Sequence, residues 1–566
     1  SALAWWGSTL VVAHRFDPRL MLVKPGGAVE PVPAVASAEG VVADRLGVAF
    51  VAEHARDTVL SLDLAAGGRV RWRREVEPNP KALALAGDLL AVGSLQTGEV
   101  EVLSRDTGAP GGRIAPRPGT PIQGGGTEAF SEFVIGGKAV RALAFAGGRL
   151  LSANLGPNVG PNPRRMEVTA NGGVSELDVQ AGKVLRHRGF GAGVTSGLAA
   201  DEGQGLLYAA DPALGRVRVL DLRTLEVKQE ISIPPPERFP RIRSAADLGT
   251  SGRAGDELHS GPCAVALDAP RRRLWALDRF TGTAAEIDVS KAAAGQAAVV
   301  KQWPLVDALS QPKRRLGQVL YFADVGRTSM SCDACHLEGH TEGVFFEKTF
   351  PLRIYRATTV RGSRETPPYF TPASTSSLSQ TASEVGGRNR FHNPDPTPAE
   401  VEALALYSAS LATLPNPFVG ADGAPVEGEL ELFDHQRGRP REGLKLFEAH
   451  CLQCHPPPHF TTDQDPATRG KYLDVGTPEV LPLREGMQDV VHQGMAPPSL
   501  LGAWDIFPML SSGSAGLKVV DGERLEVGAR FALREVIELY GGPRHGGSAA
   551  LTAQERNDLL AYLLSL

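Results

Sequence analysis

Cysteine is scarce in this chain, with five among 566 residues. Four sit in two short motifs, and the fifth, Cys263, lies in the apolar run Gly261-Pro-Cys-Ala-Val-Ala-Leu-Asp. With the other four committed, Cys263 has no partner. That excludes an intramolecular structural disulfide and makes Cys263 a small buried core thiol. Long apolar runs are missing too: none approaches the roughly 18 residues that suggest a membrane span, so no span is expected. Nor is there an excess of cationic side chains. The formal net charge is −5 and the pI is near 6.3, so neither nucleic acid nor an anionic membrane surface is an expected partner. The numbering opens at Ser1 without a basic segment followed by an apolar one, so any export signal has been removed or left out.

Helical periodicity is nearly absent from the first three hundred residues. What is there instead is a recurring short apolar strand, a polar turn, and a strand ending in Leu-Asp-Leu or Ile-Asp-Val. Gly47-Val-Ala-Phe-Val-Ala, Thr58-Val-Leu-Ser-Leu-Asp-Leu, Glu99-Val-Glu-Val-Leu and Gly215-Arg-Val-Arg-Val-Leu-Asp-Leu are examples. The spacing is roughly 40 to 50 residues, the period of a four-stranded propeller blade. Residues 1–305 therefore read as a β-propeller of about seven blades, resembling the YVTN-type propellers. Two loops, Pro116 to Gly137 and Pro234 to Ser260, exceed ordinary blade connections. No catalytic constellation is visible in this half; His14, His54, His187 and His259 are scattered, which points to docking a partner or covering a site.

The four remaining cysteines form Cys332-Asp-Ala-Cys335-His336 and Cys451-Leu-Gln-Cys454-His455. In C-x-x-C-H, two thiols can bond to the haem vinyl groups while the adjacent His supplies an axial nitrogen to iron. A four-Cys zinc site explains the thiols but not the His after each pair, and a C-x-x-C redox pair wants a βαβ context that is lacking. Two covalently bound haem c groups are expected. Because such attachment takes place outside the cytoplasm in bacteria, a periplasmic or extracellular, cell-surface location is expected with them.

After Trp303-Pro304 the texture changes to helix and loop, and two similar units follow. Each places a helix before its motif, Arg315-Leu-Gly-Gln-Val-Leu-Tyr-Phe in one and Arg441-Glu-Gly-Leu-Lys-Leu-Phe in the other. Each closes on a helix opened by a capping box, Thr397 with Glu400 and Thr552 with Glu555, where hydroxyl and carboxylate satisfy orphan amides. The expected fold class is thus multidomain: an all-β propeller followed by two mainly α cytochrome c domains, 306–425 with the first haem and 426–566 with the second.

The order of C-x-x-C-H, Pro498-Ser-Leu-Leu-Gly, Pro508-Met-Leu-Ser-Ser-Gly-Ser, Leu533-Arg-Glu-Val-Ile-Glu-Leu-Tyr and the closing Leu-Leu-Ala-Tyr-Leu helix is similar to the bacterial di-haem cytochrome c peroxidase/MauG superfamily. The resemblance covers about residues 306 to 566. It implies His336 and His455 as proximal iron ligands and Tyr540 as distal ligand of the second haem, where the family carries Met or Tyr. Met495, Met509 and His545 are alternatives. The matching place in the first half is Val385, which cannot bind iron, so an open first haem is implied, with Glu384 and His392 as candidate acid/base groups for peroxide cleavage. His340 is expected beside the proximal face. The relay position falls at Tyr369 or Phe370. Arg356 stands near the family's calcium-holding Asn, so a guanidinium takes the place of the cation and calcium is not expected.

The resemblance further implies a di-haem oxidoreductase, a peroxidase or MauG-like oxidase. It would activate hydrogen peroxide at the first haem and relay electrons through the second to a small redox protein or protein substrate. Two alternatives stay open: an electron-transfer protein without peroxidase activity, and a propeller-led binding module whose haems sense redox state.

Overall fold

The computed structural model of the chain describes residues 2–24, 28–33, 37–95, 97–114, 139–159, 168–190, 193–234, 260–305, 310–323, 331–334, 336–340, 345–348, 353–370, 375–385, 396–432, 435–462, 473–477, 496–506, 509–510, 515–520, 524–527 and 532–566. The chain divides into two compact units. One comprises Ser1–Cys335 with Val385–Tyr407, the other His336–Glu384 with Ser408–Leu566.

The first unit is built on six four-stranded antiparallel sheets spanning 2–33, 38–75, 80–114, 139–189, 197–232 and 262–304. Strands follow sequence order within each sheet, and the innermost strand of each packs against the innermost strand of the next, the arrangement of propeller blades. The cores lie between blades. Val11, Leu20, Val51 and Leu60 fill the first interface, and Tyr208, Val217, Leu274 and Ile287 the last. This explains the strand texture: middle strands such as Val48–Glu53 are covered on both faces and read as unbroken apolar runs, whereas the outer strand Arg69–Glu75 is largely exposed. The recurrent Asp has a local task as well. Asp63, Asp221 and Asp288 accept hydrogen bonds from backbone amides of the turn that follows, at Ala66, Thr224 and Ser290.

The described residues form six blades where seven were expected. That count divided the length of the region by one period, but blade spans are unequal, and the long connections 115–138 and 235–259 lie outside the described residues.

The expectation of two mainly α cytochrome c domains is also corrected. Beyond Pro304 the described residues hold six short helices, α1 Pro312–Phe322, α2 Leu378–Ser383, α3 Pro398–Ala409, α4 Pro440–His450, α5 Ala532–Glu538 and α6 Ala553–Leu564. Three two-stranded hairpins and many turns lie between them. Both capping boxes form, with Thr397 N–H donating to Glu400 at 2.8 Å and Thr552 N–H to Glu555 at 2.8 Å. They delimit single helices, however, and the described residues between those helices are largely hairpins and turns.

A duplication is nonetheless visible in the helix pairs. In the first unit α1 crosses α3 where Gly317 meets the backbone of Ala403 and the side chain of Tyr407. In the second, α4 crosses α6 where Gly443 meets Asp558 and Tyr562. The Tyr407 ring lies tilted 5.3 Å from that of Tyr321, and the Tyr562 ring tilted 5.2 Å from that of Phe447.

Candidate functional site

The second C-x-x-C-H motif grows out of the end of α4. Cys451 N–H donates to the Phe447 carbonyl at 2.7 Å, and Cys454 and His455 N–H then donate to the Cys451 carbonyl at 3.1 and 2.9 Å. The chain thus closes a tight turn with one thiol at each end. Both cysteines are half-buried and His455 is buried. Burial, with Cys454 adding to it, pushes the Cys451 thiol up to about 11. Burial raises Cys454 as well. Burial also lowers His455 to about 4 against the opposing pull of the Phe460 carbonyl, which its Nδ1 meets at 3.0 Å. The imidazole is therefore neutral and its ring is oriented by that carbonyl. A neutral, oriented imidazole beside two unactivated thiols suits thioether attachment and iron ligation. A redox-active pair would need a stabilised thiolate. Within the second unit, no third metal-ligating side chain among the described residues joins Cys451 and Cys454 in a zinc-like cluster.

At the first motif, Cys332–Ala334 form a single 3-10 turn, and burial, with Asp333 adding to it, pushes the half-buried Cys332 thiol up to about 12. Cys335 lies outside the described residues. His336 Nδ1 meets the Thr358 carbonyl at 2.6 Å, the same backbone restraint His455 receives. Asp333, the second residue of the motif, forms an ion pair at 2.7 Å with Arg141 of the blade strand Ala139–Ala146, both side chains 1% exposed. Helix α1 is fastened to the same unit: Arg315 Nε donates to the Phe280 carbonyl at 2.9 Å, and Arg279 lies over the Phe322 ring at 4.0 Å.

Other expected site residues are dispersed. Tyr540 is half-buried and packs on the same core cluster as Cys451 and Phe460; its carbonyl meets His545 Nδ1 at 3.1 Å. Met509 is buried in that cluster. Glu384 is half-buried at the end of α2, whereas His392 and Met495 lie outside the described residues. Tyr369 donates its hydroxyl to the Ser363 carbonyl at 2.8 Å, and Phe370 is exposed. Arg356 pairs with Phe345 in a hairpin. His340 is buried, its Nε2 3.5 Å from Asp505, which also meets Arg361 at 3.3 Å. Sequence reasoning missed Arg141: an arginine inside an alternating strand carries no signal that its partner lies 192 positions away.

No family model matches this chain, and no curated protein does. Among solved structures it is similar to a chain of a mitotic checkpoint complex crystal structure, with 12% identity and a TM-score of 0.38, over 54% of this chain and 78% of that one. It is also similar to hydrazine synthase of Kuenenia stuttgartiensis, with 12% identity and a TM-score of 0.39, over 54% and 86%. Likeness at that level carries no argument about what this chain does.

Membership of the di-haem peroxidase/MauG superfamily is accordingly corrected. The described chain is mostly a six-bladed propeller with a few short helices, and no family model supports the assignment. The motifs behind it were short and locally satisfied. A capped helix, a tight turn and a Gly-mediated helix crossing meet the same spacing without that family's domains. The peroxide chemistry assigned to Glu384 and His392 goes with it. No helix among the described residues is long and apolar enough to cross a membrane.

Proposed function

We propose that this chain is a propeller-led docking module that carries covalently attached haem on its two C-x-x-C-H turns. What supports docking is the six-bladed scaffold itself. Several of its buried polar groups hold turns, as when Asp278 Oδ1 accepts from the amides of Gly261, Phe280 and Thr281 at 3.0, 2.9 and 3.1 Å. The scaffold's strand edges and loops are left to meet a partner.

One observation carries the haem reading: the Cys451–His455 turn, which sets two thiols three residues apart beside a buried imidazole whose Nδ1 meets the Phe460 carbonyl at 3.0 Å. Cys451 and Cys454 would bond the porphyrin and His455 would ligate iron. Cys332, Cys335 and His336 would do the same at the first motif. Bound haem supplies a one-electron iron centre. The rest belongs to the chain: the Phe460 and Thr358 carbonyls keep each imidazole in one orientation and one tautomer, and burial keeps His455 unprotonated.

The fitting partner is a small redox protein. A panel of such proteins of different charge, titrated against the full chain by calorimetry, tests the reading. Binding of at least one that persists in the Cys451→Ser/Cys454→Ser variant is expected, because docking belongs to the propeller. Failure of all of them, or loss of binding in that variant, would contradict it.

A further inference from the structure

The outer strands of blades two, three and four differ from the rest. Arg69–Glu75, Pro110–Ile114 and Lys183–Gly189 together carry Arg69, Arg71, Arg73, Arg74, Arg113, Lys183, Arg186 and Arg188 against the single carboxylate Glu75. The other three outer strands, Val29–Pro33, Val227–Ser232 and Ala298–Pro304, balance Lys228 and Lys301 against Glu30 and Glu230. The cationic strands form one continuous stretch of the rim. Trp72 of the second blade donates its indole N–H to the Arg105 carbonyl of the third at 3.1 Å. At the next junction the fourth blade's turn approaches so closely that a methyl on Gly182 would lie 2.9 Å from the Arg113 carbonyl.

Protection of an exposed sheet edge explains part of this, since one lysine or proline per edge strand suffices and Val29–Pro33 relies on Pro31 and Pro33. It does not explain the density or the residue type. Seven of the eight cations are arginine, whose planar fork matches a carboxylate bidentately. Arg69, Arg73, Arg113 and Arg186 already meet carboxylates of their own unit at 3.6, 3.5, 3.0 and 2.6 Å. Arg71, Arg74, Lys183 and Arg188 have no ion pair among the described residues. Between them Val70 and Leu185 are 43% and 51% exposed. Among the described residues each of these strands pairs on one side only, so its other edge presents backbone amides and carbonyls to any partner strand.

We propose that this arginine rim of blades two to four docks an acidic polypeptide segment, whose carboxylates meet the free forks and whose backbone pairs with the strand edge. An anionic bilayer fits less well: a rim of strand edges is not flat, and Trp72, the one Phe, Tyr or Trp on these strands, is half-buried with its indole against the neighbouring blade. The inference rests on the propeller being the docking part of the chain.

The test uses the full chain and a labelled oligo-glutamate peptide, with oligo-lysine, a glycine–serine peptide and phosphatidylglycerol vesicles in parallel. Oligo-glutamate is expected to bind selectively and to weaken as salt rises. Its affinity is expected to fall about tenfold or more in Arg71→Gln/Arg74→Gln/Arg188→Gln; these side chains are exposed, and an unchanged thermal transition verifies folding. Charge reversal in Arg71→Glu/Arg74→Glu is expected to abolish binding. Unchanged affinity in the variants, or binding to vesicles alone, would overturn the acidic partner. So would preference for oligo-lysine or the neutral peptide, which leaves the propeller as a docking module. If no probe binds and no redox protein binds either, both readings fall.

Discussion

Arg141 and Asp333 meet at 2.7 Å with both side chains 1% exposed. Desolvation makes such a pair costly to break one side at a time. Arg141→Met strands a carboxylate in the interior and is expected to cost about 3 to 5 kcal/mol in denaturant unfolding. Arg141→Met/Asp333→Leu, which removes both charges, is expected to recover most of that loss. A single variant that unfolds like the parent would show the pair to be solvated. A second buried charge links stability to pH. Burial alone would raise the Glu39 carboxyl, but Arg15, 2.7 Å away, and Lys81, 3.9 Å away, outweigh it and hold the group at about 2. Because the folded value lies below the ordinary value of 4.5, the contribution, about 3 kcal/mol, is complete above that pH and is lost as pH falls toward 2. Glu39→Gln should flatten the acid limb of the stability profile between those limits. An unaltered limb would show that Glu39 is not the titrating group.

Helix crossings depend on single glycines. A methyl at position 443 would collide with the Asp558 carbonyl of α6, and overpacking of that kind costs about 1 to 3 kcal/mol or more. Gly443→Ala should therefore lower the unfolding midpoint of the second unit, and Gly317→Ala that of the first. A variant as stable as the parent would mean that the helices do not cross there. These crossings show how much was legible. The capping boxes at Thr397 and Thr552, the strand runs from Val48 to Asp63 and the turn-holding Asp221 are local, with partners within a few residues, so a linear reading finds them. The blade number was not legible, because the blades span unequal lengths of chain and no single period divides them. Nor was the make-up of the C-terminal half: capped helices are visible one at a time, but nothing in a linear string says which hairpins and turns stand between them. Arg141 with Asp333 and His340 with Asp505 were missed because the fold alone brings them together.

At the scale of the molecule, a six-bladed scaffold with its cores between blades shares its unit with α1, α3 and the first motif's Cys332–Ala334 turn. The second unit builds the equivalent turn from its own helix pair. As proposed, the chain joins a docking surface on the propeller to haem held by the two C-x-x-C-H motifs. The most direct test is the intact mass of the full chain produced in a host that attaches haem to exported proteins, alongside Cys451→Ser/Cys454→Ser. Two haem masses on the parent and one on the variant are predicted. A parent with the mass of the bare polypeptide, or with zinc in place of porphyrin, would contradict the account.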